Sequence, residues 1–205
     1  MKSFIEKINT AFKEFRLYYL FVLLLFSIGI VIGVYTVVYM DETNKKDLVD
    51  YFSVYYEGFK TASPNYFTLL ISVIKKNLLL LIPIFLLGFT FWGTPFVLII
   101  DTIKGFVLGY TFALIFSISG TNSYLVSIAA IIPQNLFYIP CFIIISVMSL
   151  QMSATRFKEK FSKNYCNKNK SAFIINPLII SFILLIIGIA VEVYGSPGIL
   201  KMIVS

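Results

Sequence analysis

The feature that most constrains this chain is the run from Leu17 to Met40, which contains no charged residue. At about 1.5 Å per residue a helix of that length crosses a hydrocarbon layer of roughly 30 Å. The run is too long for the apolar core of a secretory leader, and no small-x-small cleavage pattern follows it. It therefore reads as a retained first span. Composition points the same way: 59% of the 205 residues are hydrophobic and only 13% charged, against about 25% charged in soluble domains. With a mean hydropathy of +0.89, a water-borne fold would leave far too much apolar surface exposed.

Four further hydrophobic regions follow. The second runs from Tyr66 to Phe91 and is interrupted by Lys75 and Lys76; its cleaner part is Asn77 to Phe91, with Pro83 placed to kink it. A tight turn is expected at Gly93-Thr94-Pro95. The third region, Phe96 to Ser119, carries Asp101 and Lys104, and a polar turn at 119–123 ends it. The fourth, Tyr124 to Met152, is broken by Pro133 and Pro140, and the fifth is Ala172 to Val193. The fold class is thus all-α, a polytopic transmembrane bundle of about five spans forming one integral membrane domain over residues 1–205. Ahead of the first span, residues 1–16 form a cytoplasmic helix with Phe4, Ile8, Phe12 and Phe15 on one face. That pattern suits an interfacial helix, and equally one packed on the protein's own bundle.

Orientation follows from the distribution of lysine and arginine. The N-terminal stretch to Arg16 holds four basic residues, and the loop 153–171 holds six against the single Glu159. Both belong in the cytoplasm, which places the C-terminal tail and the segment 41–66 outside. Lys75 and Lys76, near the outer end of the second span, run against the rule. The outer segment carries five acids and three lysines around an aromatic set, Tyr51, Phe52, Tyr55, Tyr56 and Phe59, spaced for one face of an amphipathic helix. Such a face anchors at the membrane interface or docks a partner protein. The net charge of +7 is accounted for by membrane orientation, so the lipid bilayer and not nucleic acid is the expected partner.

The inventory for chemistry is short. Histidine is absent, which removes the commonest general base and metal ligand. Cys141 lies in an apolar run and Cys166 in the basic loop, with no metal-ligand spacing between them. No phosphate loop, dinucleotide fingerprint or metal cluster occurs, so neither a cofactor nor an enzymatic activity is expected. Asp101 and Lys104, three residues apart, can offset each other's burial as a structural pair or contribute to an ion or proton path. Gly29 with Gly33, and Gly105 with Gly109, stand at the spacing that lets helices approach closely. Between Pro133 and Pro140 two backbone donors are lost, and Gln134, Asn135 and Tyr138 are at hand to satisfy the freed carbonyls. A broken helix of this kind also occurs in transporter sites, so a small transporter or channel subunit is the rival reading.

Four elements resemble the stage II sporulation protein M family. They are Asn77 opening the second span, Gly88 near its end, the stretch Lys104-Gly105-Phe106-Val107-Leu108-Gly109, and the element from Pro133 to Pro140. The order of a first span, an outer loop, a hydrophobic group and a last span is similar too. Wider relatives carry histidine and glycine after the first proline and glutamate before the second. Gln134, Asn135 and Tyr138 occupy those places here, which argues against ion transport and fits the sporulation branch. The resemblance implies a membrane anchor in the mother cell that localises stage II sporulation proteins P (an amidase/endopeptidase) and D (a lytic transglycosylase) for septal wall thinning and membrane migration during forespore engulfment. The outer aromatic segment is then the candidate contact for protein P.

Overall fold

A computed structural model describes residues 16–48, 50, 66–117, 123–161 and 170–195. The N-terminal helix expected before Arg16, the aromatic residues Tyr51, Phe52, Tyr55, Tyr56 and Phe59, and residues 162–169 of the basic loop lie outside the described residues. The described chain consists mainly of α1 (Arg16–Val38), α2 (Tyr66–Leu87), α3 (Gly93–Ser117), α4 (Ser123–Phe161) and α5 (Lys170–Ala190), closed by a π-helical turn at Val191–Gly195. A further helical stretch begins at Glu42, where the Asp41 carbonyl accepts from Lys45 N at 3.0 Å. No strand occurs among the described residues. Five segments are long and apolar enough to cross a membrane: Arg16–Val38, Tyr66–Leu87, Gly93–Ser117, Ile132–Phe161 and Pro177–Gly195. The fold is an all-α multispan membrane bundle.

Specific contacts fix the direction of each helix. Residues 26 and 30 of α1 meet 105 and 109 of α3, numbers rising together, so the two helices run parallel. Between α3 and α4 the pairs are 94 with 153 and 101 with 146, which is antiparallel. Gly88 of α2 lies on Ser149 and Asn77 reaches Tyr138, so α2 and α4 are parallel. Tyr138 meets residues 188 and 192 while Cys141 meets 181, which makes α5 antiparallel to α4. Parallel α1 and α3 require α2 to traverse the bundle completely between them. The five helices therefore alternate in direction, and the start of α1 shares one face of the bundle with the end of α4.

The innermost helix is α4. Half of its spanning window is buried (50%), against 22–28% in the other four. Tyr138, Cys141, Phe142, Val147 and Leu150 of α4 form the core with Val22, Leu81, Ile84, Val97 and Leu185. The outward residues of α1 and α5, such as Phe21, Leu24, Phe182 and Ile186, remain exposed. They meet lipid, whose apolarity makes their exposure costless. Close packing then has to come from shape, and α1 packs most extensively on α3. A Cβ on Gly29 would strike the Thr102 carbonyl oxygen and stand 2.9 Å from Phe106 N; one on Gly33 would strike the Phe106 carbonyl oxygen. From the other side, Gly105 and Gly109 lie against the carbonyl oxygens of Phe26 and Ile30.

Three boundaries differ from the sequence reading. Helix α2 runs unbroken from Tyr66, where the second hydrophobic region begins, so Asn77 lies inside the span and does not open it; paired lysines lower hydropathy without interrupting helical hydrogen bonding. The reversal after α2 falls at residues 88–92, and Gly93-Thr94-Pro95 is the first turn of α3. Proline is tolerated there because a first-turn N–H has no intrahelical acceptor to lose. Ser153 of α4 caps that turn: its Oγ accepts from Thr94 N at 2.9 Å and from Thr94 Oγ1 at 3.1 Å. Finally, α4 is one continuous helix through Pro133 and Pro140, so no helix break exists at that element, and it runs on to Phe161 into what composition alone marked as loop. Each proline deletes one backbone bond, and the apolar environment penalises further unwinding.

Candidate functional site

Two polar layers lie inside the bundle, and both involve α4. In the first, Asp101 is fully buried (0% exposed), and its Oδ1 accepts a 2.6 Å hydrogen bond from Ser146 Oγ. Its Oδ2 and the Ser149 hydroxyl are both buried without a hydrogen-bond partner. Ser146, Ser149 and Ser153 follow one face of α4 at helical spacing and are all buried, giving α4 the small surface that Gly88 and the start of α3 pack against. The expected pairing of Asp101 with Lys104 is not formed. Asp101 faces α4, and Lys104 lies within electrostatic reach of Glu192 and Lys76 instead. Three positions advance a helix by some 300°, so two short-range neighbours on α3 can address different partner helices.

The second layer centres on Tyr138. Its hydroxyl donates to Glu192 Oε2 at 2.6 Å, and Asn77 is within hydrogen-bonding reach of the same hydroxyl. The ring lies across Gly188, where a Cβ would stand 2.6 Å from Cε1. Glu192 comes from the π-helical turn, whose extra residue per turn rephases the end of α5. Asn77 is interior to α2, buried, and donates from Nδ2 to the Val73 carbonyl at 3.0 Å; it does not open the helix. Next to this layer, Cys141 is buried, and its thiol donates to the Ser181 carbonyl at 3.1 Å. Pro83 is exposed on α2, and Gln134, Asn135 and the two prolines of α4 are half-buried. Among the described residues no group of three or more His, Cys, Asp or Glu side chains is placed to hold a metal.

Sequence reasoning brought out Asp101, Asn77 and Tyr138 but missed the groups they bind. The Ser146, Ser149 and Ser153 stripe was visible as small polar residues at spacings of three and four. Glu192 carried a weaker signal, as the acid at the end of the last apolar run. Tyr138→Phe removes the hydroxyl that Glu192 accepts from. It is expected to cost about 1–2 kcal/mol and to speed thiol labelling of Cys141 about tenfold in a Cys166→Ser background.

The model of the family described as Stage II sporulation protein M matches residues 22–197. The chain belongs to this family. The match takes in the first span from Val22 onward, the other four spans whole, both polar layers and the α1–α3 glycine crossing. Membership in the stage II sporulation protein M family gives the chain its place as a multi-pass membrane protein of sporulation and engulfment. No curated protein and no solved structure matches it.

Proposed function

We propose that this protein is a non-enzymatic membrane scaffold that anchors and localises peptidoglycan hydrolases during forespore engulfment. The observation that carries the reading is the family match over residues 22–197. The partners are stage II sporulation proteins P, an amidase/endopeptidase, and D, a lytic transglycosylase. The site of action is the mother-cell membrane at the engulfing septum, where septal wall thinning and membrane migration take place. The basic residues at the end of α4 and Arg16 at the start of α1 share one face of the bundle, which supports a cytoplasmic N-terminus by the positive-inside rule. The segment 41–66 then emerges on the wall side, where its aromatic residues can serve as a rigid docking face. Asp101, held by Ser146 in a packed interface, fits a structural role in such an anchor.

The test is co-purification of detergent-solubilised protein with protein P, comparing wild type with Tyr51→Ser/Tyr55→Ser/Tyr56→Ser. Recovery of protein P is expected to fall severalfold, as when clustered aromatic anchors are lost from an interface. Undiminished recovery with a correctly inserted variant sinks the loop as the contact. Failure of the wild-type protein to retain either hydrolase in the native host sinks the scaffold. Cysteine accessibility at positions 56 and 163 in a cysteine-free background fixes the orientation, with the two expected on opposite sides.

A further inference from the structure

One face of the bundle gathers cations and exposed rings from segments distant in sequence. Helix α4 passes the start of α3 at the Ser153–Thr94 contact and continues for two more turns to Phe161. On this overhang Arg156 and Lys160 are exposed and one turn apart, hence on one side of the helix. The Lys160 ammonium stands 3.5 Å from the centroid of the Phe91 ring, and Phe91 in turn makes an edge contact with Trp92, centroids 5.7 Å apart. Trp92 is 64% exposed. Because α1 and α3 run parallel in register, Arg16 stands at the same level of the bundle.

Cations and exposed tryptophan at the end of a spanning helix meet the membrane at headgroup depth, where an indole and a lysine stem are both well solvated. Two features go beyond a diffuse basic rim. The cation–π contact fixes the Lys160 ammonium above a ring that is itself held in a hydrogen-bonded turn, so little side-chain freedom remains to be lost on binding. The Arg156 guanidinium, a planar fork of donors suited to a phosphate, lies one turn away on the same side of the helix. Glu159, the acid of the overhang, and Lys158 have contacts of their own, and the site is built on Arg156 and Lys160. The geometry points to a binding site for an anionic phospholipid, its phosphate held between Arg156 and Lys160 and its glycerol region against Trp92. This inference needs only membrane insertion and stands apart from the hydrolase-anchoring role.

Trp92 is the single tryptophan of the chain, so its fluorescence reports this site alone. The full chain is reconstituted in phosphatidylcholine vesicles with a minority of phosphatidylglycerol, with bromine placed on the acyl chains of one lipid or the other. Brominated phosphatidylglycerol is expected to quench Trp92 as though enriched about fivefold over its mole share. Arg156→Gln/Lys160→Gln, both on exposed positions, should return quenching to that share. Lys45→Gln/Lys46→Gln removes the same charge at the opposite end of α1 and should leave the enrichment intact. Quenching in proportion to mole share in the wild type overturns the site. Enrichment that survives Arg156→Gln/Lys160→Gln, or that falls equally with Lys45→Gln/Lys46→Gln, overturns it as well.

Discussion

Gly29→Val and Gly109→Val are each expected to destabilise the bundle by about 3 kcal/mol or more, at the upper end of what overpacking costs. The new Cβ at position 29 would overlap the Thr102 carbonyl oxygen, and that at position 109 the Ile30 carbonyl oxygen, with Ile30 Cα only 2.8 Å from the same Cβ. The struck atoms are helical backbone and cannot turn aside as a flexible side chain would. The two helices must separate, and the separation is felt along their whole crossing because Gly33 and Gly105 share it. In lipid no hydrophobic force restores what is lost, since α1 gains equally apolar neighbours from the acyl chains. Gly195→Ala is the control: its Cβ meets nothing nearer than Val191 Cγ1 at 3.6 Å, an ordinary contact. Thermal unfolding in detergent, followed by loss of the monodisperse peak, should show a large fall for the first two and none for the third. Equal midpoints for all three would mean that the α1–α3 crossing does not hold the bundle together.

How much of this was legible in the sequence depends on the range over which each feature is determined. The spans were legible because the cost of charge in hydrocarbon is local, so an uncharged run such as Leu17–Met40 declares itself. The continuity of α2 through Lys75 and Lys76 was not, because hydropathy falls at the two lysines while the backbone hydrogen bonds of residues 66–76 are indifferent to them. Proline misled for the opposite reason: in water Pro133 and Pro140 would end a helix, whereas in a membrane unwinding exposes more unsatisfied groups than the prolines themselves create. The glycine spacings announced a close crossing but not its partner. That Gly29 and Gly33 answer Gly105 and Gly109 is a fact about two helices some 70 residues apart. Asp101 was conspicuous and its partner was not. The nearest opposite charge in sequence, Lys104, was the natural choice, and the bundle chose a serine on α4.

That choice yields a second large effect, at Ser146. Ser146→Ala takes from Asp101 the one hydrogen bond its carboxyl makes, leaving both oxygens buried without a partner, since Oδ2 already has none. The expected loss is about 2–3 kcal/mol, the range for a buried acid deprived of its donor. Asp101→Asn keeps an oxygen for Ser146 Oγ and brings no charge into the apolar surround, so it should stay within about 1 kcal/mol of wild type. The sharper outcome lies in Asp101→Val/Ser146→Ala. Removing both partners leaves no orphaned polar group at that contact, so the double variant should be less destabilised than the sum of its single changes by about 1–2 kcal/mol. Strict additivity would show that the carboxyl and the hydroxyl do not depend on each other. A Ser146→Ala variant as stable as wild type would show that Asp101 is satisfied by something other than this bond. A double variant that unfolds like Ser146→Ala alone would place the cost in lost packing at α4, beside Ser149 and Gly88, and remove the acid from the account of what joins α3 to α4.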